Sequence, residues 1–533
     1  MDVAAELLKQ GKTKELWERC CGFIDLNMGE FMTIQRRLLL EQIELLKNCE
    51  LGKRLMQGAQ PGSVEEFRKQ VPVNTYYDYA PYLLDKREDV LPVKPILWQW
   101  TSGRSGEYPH KWVPITRRMY DEMGDLMIAL SLFASCEDRG EVVIEEHDKV
   151  IYGVAPPPYV SGSYFRKIAE IGIHDILPPI HEAEKMSFEE RIEQGFKLGL
   201  SEGIDVVSAI NSVLVAIGER FGQGSGIKRA AALLNKPKIL LRLLKAVLKS
   251  KLAGRSLLPR DIWTLKGIIA GGTDNVIYRE KVKYMWGRYP LDTYGGTECL
   301  LIATQTWDYD TMTFIPHLNY LEFMPEREWN NWLMDKTYQP ELLLLDEVQA
   351  GENYAVVITN FYGGAFVRYF PGDAIRIESL RNERCNINIP QMLFHSRIDG
   401  IIDVAGFTRL TEKVVWQAIE NSELAYQDWA IRKESSGEKT YLKLYIEPKE
   451  GTEFNDDQVA DIVHEHLKRL DNDYASLEVM LRLKPLKVIV LPHGTFQTYT
   501  IKQQAAGADL AHLKPPHVNP TDEQIGKLLT PIA

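Results

Sequence analysis

Apolar residues recur at three- and four-residue spacing through "IQRRLLLEQIELLKNCELGKRL", Ile34 to Leu55. That is the period of one buried helix face, so the first sixty residues are expected to be helical. Between Asp89 and Val154 the pattern shortens. β-rich runs such as "VVIEEHDKVIYGV" alternate with helical stretches such as "RRMYDEMGDLMIALSLF". Further along, "WTLKGIIAGG" is an apolar run that ends in glycines, and "ENYAVVITNF" is a strand candidate. Strand–turn–helix alternation over several hundred residues predicts an α/β domain.

After Ser396 the pattern changes. "KTYLKLYIEP" alternates apolar and polar residues as a half-buried strand does. "NDDQVADIVHEHLKRL" has the form of a capped amphipathic helix, and "EVMLRLKPLKVIVL" is expected to add strand. A compact α+β unit of about 130 residues is a usual size for a domain. The expected organisation is a large domain over residues 1–396, a hinge over 397–406 and a small α+β domain over 407–533.

Composition narrows the classes. The chain has 533 residues, 45% hydrophobic and 26% charged, with a net charge of -11. Phosphate neutralisation needs a basic face, so a dedicated nucleic-acid binder is disfavoured. Six cysteines in so long a chain make no disulfide framework, and no C-x-x-C pair points to zinc. The start, "MDVAAELLKQGKTKELWERC", carries charge throughout, and no apolar run approaches the ~18 residues that span a bilayer. A cytoplasmic, monomeric protein without integral membrane association is expected.

One stretch departs from the acidic balance. "KPKILLRLLKAVLKSKLAGR", Lys236 to Arg255, contains basic residues and no acid. Its leucines and Pro237 predict a surface helix packed on the domain. The alternative is an electrostatic dock for an anionic membrane surface, CoA phosphates or a partner.

Three separated elements could carry chemistry. "TSGRSGEYPHKW", Thr101 to Trp112, is not the G-x-x-x-x-G-K-[ST] loop of nucleoside triphosphatases, which is absent from the chain. Gly103 and Gly106 would still let backbone N–H groups converge on phosphate oxygens. Thr101, Ser102 and Ser105 would add hydroxyls, and Lys111 would add charge. In "YGGTECL", Glu298 follows small residues in a turn and could hold a divalent cation. In "FVRYFPGDAIRI", a Pro-Gly turn presents Asp373, whose carboxylate could accept from both ribose hydroxyls. Each alone is more commonly a solvated turn. His464 and His466 lie two apart on a helix, face different sides and make a poor metal pair.

The order "TSGRSG…K", "YGGTE", "RYFPGD" and "RIDGIIDVAG" resembles the adenylate-forming superfamily of acyl-CoA synthetases, peptide-synthetase adenylation domains and luciferases. Within it the chain is most similar to the auxin-responsive Gretchen Hagen family of acyl-acid amido synthetases. The segments that carry this likeness are "SVEEFRKQVPVNTYYDYAPYL", "PHLNYLEFMP", "LLLLDEVQAGENYAVVITNFYGGAFVRYFPGD" and "GTFQTYTIKQQAAGADLAHLKPP". They span nearly the whole chain.

The resemblance implies a large α/β adenylate-forming domain with a small mobile C-terminal domain. It also implies a two-step reaction using ATP and Mg2+. A carboxylic acid is adenylated with release of pyrophosphate, then passed to an amine, usually an amino acid, with release of AMP. By motif position, Ser102, Gly103, Arg104, Ser105, Gly106 and Lys111 would cradle the phosphates. Tyr294 would stack on adenine, Thr297 would touch the nucleotide or the acyl carboxylate, and Glu298 would bind magnesium. Asp373 would hold the ribose with Arg397 nearby, and Lys514 would reach the carboxylate and α-phosphate during adenylation. The chain departs from the pattern at Arg104, at the spacing to Lys111, at Gly295-Gly296 and at His517. An acyl- or aryl-CoA ligase and a non-catalytic ligand-binding member remain as alternatives.

Overall fold

Asn27 and Glu30 cap each other's backbone N–H groups at 3.0 and 2.9 Å, and this starts the helix Met28–Lys47. Its buried face carries Leu38, Leu39, Ile43 and Leu46, and also two glutamines a heptad apart. Gln35 donates to the Asn319 carbonyl at 2.7 Å and accepts from the Leu321 N–H at 2.9 Å. Gln42 donates to the Gly364 carbonyl at 2.9 Å and accepts from the Gly363 N–H at 2.8 Å. The predicted helix thus forms, and its polar side chains clip it to two distant segments.

The computed structural model describes residues 3–101, 111–222, 237–271, 275–335, 337–398, 401–404, 408–436, 439–481, 485–505 and 517–530. They fall into two compact units, divided between Ser396 and Arg397.

The first unit is α/β. A hairpin pairs β1 (Leu97–Trp100) with β2 (Trp112–Ile115). An eleven-stranded sheet follows, from β3 (Asp148–Gly153), β4 (His174–Leu177), β5 (Val206–Ala209), β6 (Gly267–Gly271), β7 (Pro290–Gly296), β8 (Leu300–Gln305), β9 (Met312–Phe314), β10 (Asn319–Pro325), β11 (Asn353–Asn360), β12 (Asp373–Ser379) and β13 (Gln391–Arg397). The order is β10-β11-β12-β13-β9-β8-β7-β6-β5-β3-β4. Strands β4, β3, β5, β6 and β7 run parallel, and β7 then turns back antiparallel into β8. Helix Arg117–Ser135 is largely buried on the unit, and Val160–Ile171 packs on it through Phe165, Lys167 and Ile171. The expected strand in "VVIEEHDKVIYGV" forms only from Asp148 onward. Glu145 N–H donates to the Asp148 carboxylate at 2.8 Å, and Lys266 draws both acids into a turn.

The second unit is α+β. It contains the hairpin β14 (Ile401–Val404) and β15 (Thr408–Thr411), and a sheet of β16 (Tyr426–Ser436), β17 (Lys439–Pro448) and β18 (Leu486–Val490). β17 is "KTYLKLYIEP", as its alternation predicts. The helix Asp456–Leu470 begins at Asn455, whose side chain accepts from the Asp457 and Gln458 N–H groups. In "EVMLRL" the first four residues belong to the helix Asn472–Leu481, in which Tyr474 and Leu477 are buried; Arg482 and Leu483 lie outside the described residues, and the expected strand is described from Leu486. Glu478 ties this helix to the previous one through Lys468 at 2.7 Å. The side chain of buried Glu447 accepts from the Gly494 and Phe496 N–H groups at 2.7 and 2.8 Å, which fixes the start of helix Thr495–Ala505.

Candidate active site

The first predicted loop is bounded by a hairpin. Thr101 N–H donates to the Lys111 carbonyl at 3.1 Å, directly beyond the Trp100–Trp112 pair. Tyr76 holds the returning strand, because its hydroxyl donates to the Trp112 carbonyl at 3.1 Å and accepts from the Trp112 N–H at 2.7 Å. Lys111 Nζ lies 5.4 Å from the Tyr76 ring centre. The Trp100 and Trp112 rings are 5.2 Å apart, so these tryptophans pack on each other. Ser102, Gly103, Arg104, Ser105 and Gly106 lie outside the described residues, as does Lys514.

The second and third elements meet this hairpin and each other. Thr297, nearly buried, donates to the Trp100 carbonyl at 3.3 Å. The Tyr369 hydroxyl donates to Glu298 Oε1 at 3.2 Å, and the Tyr294 hydroxyl donates to Asp373 Oδ2 at 3.2 Å. Asn360 donates to the Glu298 carbonyl at 2.9 Å and to Asn319, which donates to the Cys299 carbonyl at 2.7 Å. Burial pushes the Cys299 thiol well up, and the nearby charges of Glu298 and Asp373 add to the effect. Arg397 is half-buried at the end of β13.

Local backbone explains the first of the two glycines before Thr297. A register shift sits between Tyr294 and Gly295, and Leu300 takes φ +57°. A Cβ on Gly295 would stand 1.9 Å from the Leu300 carbonyl oxygen, so no side chain fits there. In the third element Gly372 has φ +88°, as the second central residue of a type II turn requires.

Sequence reasoning did not find the support behind these groups. Arg368 is 4% exposed and Glu322 1% exposed, and their two hydrogen bonds measure 2.9 and 3.0 Å. Arg368 also donates to the Arg68 carbonyl at 2.8 Å and to the Val71 carbonyl. The pair therefore joins "EEFRKQVP", β10 and "RYFPGD" in one clamp. Tyr369, Asn360 and Asn319 carry no signal of such a role in the sequence, although they lie in the segments that resemble the family. Their bonds are to segments far off in sequence.

Gln99 and His174 are among the buried polar side chains that have no partner among the described residues. Gln99, one residue before Trp100, is fully buried with both amide atoms unsatisfied. His174 is 8% exposed with both ring nitrogens unsatisfied, and burial pushes its pKa down to about 4, helped by the Lys266 charge. His174 lines a largely apolar cavity of about 140 Å³ that also touches Leu130, Tyr164, Phe165, Gly271 and Thr293. Thr293 precedes Tyr294, so the cavity reaches the strand that carries the second element. A buried polar group without a partner marks a place where a ligand or water could complete the bonding.

For a metal, the carboxylates of this cluster suit a cation only with help. Magnesium takes one or two protein carboxylates and completes its shell with phosphate oxygens and water. Glu298, oriented by Tyr369, fits that donor set. Among the described residues, the group of three side chains spaced to hold an ion is His464, Glu465 and Glu478, which Lys468 already neutralises at 3.1 and 2.7 Å.

The architecture is that of the adenylate-forming enzymes. The acyl acid amido synthetase AtGH3.15, solved with 2,4-DB, superposes with a TM-score of 0.52 at 18% identity, covering 96% of this chain and 95% of that one. A 2-hydroxyisobutyryl-CoA ligase solved with 2-HIB-AMP and CoA superposes at 0.52 with 15% identity, covering 85% of this chain and 86% of that one. The GH3 family N-terminal, central and C-terminal domains match residues 21–142, 312–397 and 410–523 in turn, and the chain belongs to the GH3 family. Among curated relatives, a jasmonoyl–L-amino acid synthetase of Oryza sativa subsp. japonica is 24% identical over 284 residues, 50% of this chain and 47% of that protein. An indole-3-acetic acid-amido synthetase of Arabidopsis thaliana is 26% identical over 216 residues, 38% of this chain and 34% of that one. The chain thus spans about half the length, or less, of the curated relatives it matches.

Proposed function

We propose that this protein adenylates a carboxylic acid with ATP and passes the acyl group to an amine, an amino acid for preference. A carboxylate oxygen attacks the α-phosphorus and pyrophosphate leaves. The amine nitrogen then attacks the acyl carbon, AMP leaves, and the amine proton goes to solvent. A carboxylate is a poor electrophile, so the first step supplies the leaving group, and the protein's share is positioning and charge. The observation that carries this is the joining of three distant motifs by the Thr297–Trp100, Tyr369–Glu298 and Tyr294–Asp373 bonds.

In this proposal Asp373 accepts from the ribose hydroxyls. A carboxylate offers about four lone-pair sites, and the bond from Tyr294 fixes its orientation. Tyr294 bounds the adenine, Thr297 faces the nucleotide or carboxylate, and Arg397 serves beside the ribose. Ser102 to Gly106 with Lys111 cradle the phosphates, and Lys514 offsets the charge of the approaching carboxylate. Glu298, oriented by Tyr369, would hold magnesium, which when bound neutralises phosphate charge. The acid's apolar body enters the cavity lined by Tyr164 and Phe165. A cavity of ~150 Å³ holds a benzene ring, so a single ring or short chain is the expected size. His174, kept neutral, faces a polar substituent on that acid.

The relatives named for jasmonoyl and indole-3-acetic acid conjugation support amide transfer to an amino acid, and the buried free thiols fit a reducing cytoplasm. The test is acid-dependent pyrophosphate release over a panel of carboxylic acids, with amino acids and CoA supplied in separate arms. Release accelerated by an amino acid, with an amide product, is expected. A thioester made only with CoA would replace amide transfer by the ligase alternative, and no release with any acid would overturn the enzyme assignment.

A further inference from the structure

The helix Pro237–Leu252 packs on the domain as a surface helix, but most of its leucines are not the side chains that seat it. It seats Ile239, Leu243, Ala246 and Ser250 against the first unit, and Arg242 anchors it by donating to the Gly199 and Leu200 carbonyls at 2.9 and 2.6 Å. Most of its leucines do not join that face. Leu240, Leu241, Leu244, Leu248 and Leu252 are 40%, 56%, 59%, 60% and 81% exposed. At 100° per residue these five fall within an arc of about 120° on the side facing solvent. Lys245, Lys238 and Lys249 occupy the next arc of about 40°, and Lys251 lies among the leucines. None of these four lysines pairs with an acid among the described residues, and the helix itself contains no acidic residue.

Exposed leucines alone would fit many partners. What selects among them is the charge beside the leucines. In a chain of net charge -11, this helix carries five cations and no anion. An apolar stripe bordered by unpaired lysines is how an interfacial helix lies in an anionic bilayer surface, leucines among the acyl chains and ammonium groups at the headgroups. The helix is rigidly seated through Arg242 and its buried face, so docking needs no unfolding. We propose that Pro237–Leu252 is a docking surface for an anionic lipid membrane, with the leucine arc inserted and Lys238, Lys245, Lys249 and Lys251 on phosphate-bearing headgroups. This rests on the surface alone and is independent of the reaction.

The test is flotation of the full chain with phosphatidylcholine vesicles, with and without phosphatidylserine. Binding to the anionic vesicles only, weakened by salt, is expected. Leu244→Glu with Leu248→Glu should abolish it. Lys245→Gln with Lys249→Gln should lower it by roughly 25-fold, at about fivefold per charge near the surface. Circular dichroism should be unchanged, because all four side chains are exposed. No flotation of the wild type, or flotation kept by both variants, overturns the proposal. Light scattering covers the competing occupant. A wild-type dimer that Leu244→Glu with Leu248→Glu makes monomeric, without vesicle binding, would assign the stripe to a second copy and also overturn it.

Discussion

Glu322→Gln keeps the shape of a side chain that is 1% exposed and removes its charge. The Arg368 guanidinium, 4% exposed, then loses its two bonds at 2.9 and 3.0 Å to a carboxylate and stays charged. Breaking one side of a buried pair costs about 3–5 kcal/mol, because the remaining charge is left uncompensated. A second cation raises the expectation to the upper end of that range. Arg68 Nε lies 3.6 Å from Glu322 Oε1, so the variant leaves two guanidinium groups near one neutral amide. Glu347 provides an internal control, since it is 46% exposed, stands 3.5 Å from the same Arg68, and should cost at most ~1 kcal/mol as Glu347→Gln. The measurement is urea unfolding together with native-state hydrogen exchange of the β10 and β11 amides, which flank the clamp. Glu322→Met with Arg368→Met should recover only part of the loss, because the Arg68 and Val71 carbonyls lose a donor at ~1–3 kcal/mol each. A loss below ~1 kcal/mol for Glu322→Gln, or full recovery in the double variant, would refute the clamp.

Gly295→Ala forces a Cβ to within 1.9 Å of the Leu300 oxygen, so it should cost ~1–3 kcal/mol and slow pyrophosphate release; an unchanged melting temperature would show that β7 can shift freely. Tyr369→Phe removes the donor to Glu298 and should raise the magnesium needed for half-maximal release by about tenfold, a charge-assisted bond being worth ~1.5–3 kcal/mol. An unchanged magnesium curve would separate Tyr369 from the metal. His174→Leu should lower kcat/KM about tenfold for acids with a polar ring substituent and spare the unsubstituted acid, on the same hydrogen-bond scale; equal losses on both would make His174 structural. His517 bonds Asp428 at 3.0 Å and Glu412 at 2.7 Å, and the bond to Asp428 raises its pKa. A raised folded pKa means stability that is full below about 6.5 and lost as pH climbs through the folded value. The second unit should therefore unfold more readily at pH 8.5 than at pH 6, a difference that His517→Gln should erase.

Periodicity made the elements legible where local pattern decides burial. The 3.6-residue spacing after Asn27 and the strict alternation of "KTYLKLYIEP" are both realised as written. It misled where an apolar run could serve either state. "EVML" reads as strand, but it continues a helix in which Tyr474 and Leu477 are buried. The leucines of Pro237–Leu252 predict one apolar face on a surface helix packed on the domain. Periodicity locates an apolar face and does not tell which way it points, and here most of that face turns to solvent. Glu298 and Asp373 were visible as turn chemistry around glycines, and Tyr294 and Thr297 through the family resemblance. Gln35, Gln42, Asn319 and Asn360 were not, because they act by bonding carbonyls and N–H groups hundreds or tens of residues away.

That difference changes what the motif "RYFPGD" means physically. Its first residue does no chemistry at the candidate site. Arg368 sits at φ +41°, in the left-handed region that a long side chain rarely occupies, and its guanidinium points into the clamp with Glu322. Reversing the backbone at Arg368 lets consecutive residues serve different neighbours. Tyr369 reaches Glu298, while Phe370 N–H donates to the Asn74 carbonyl at 2.9 Å, and Asn74 N–H donates to the Arg368 carbonyl at 2.8 Å. The turn that follows then delivers Asp373 to Tyr294. A strained residue persists only when its surroundings over-determine it, and the buried ion pair together with the Asn74 bridge does that here. The clamp therefore sets the geometry of the site as well as the stability of the sheet. Weakening Glu322 should show up as a displaced Tyr369–Glu298 contact even where the fold survives.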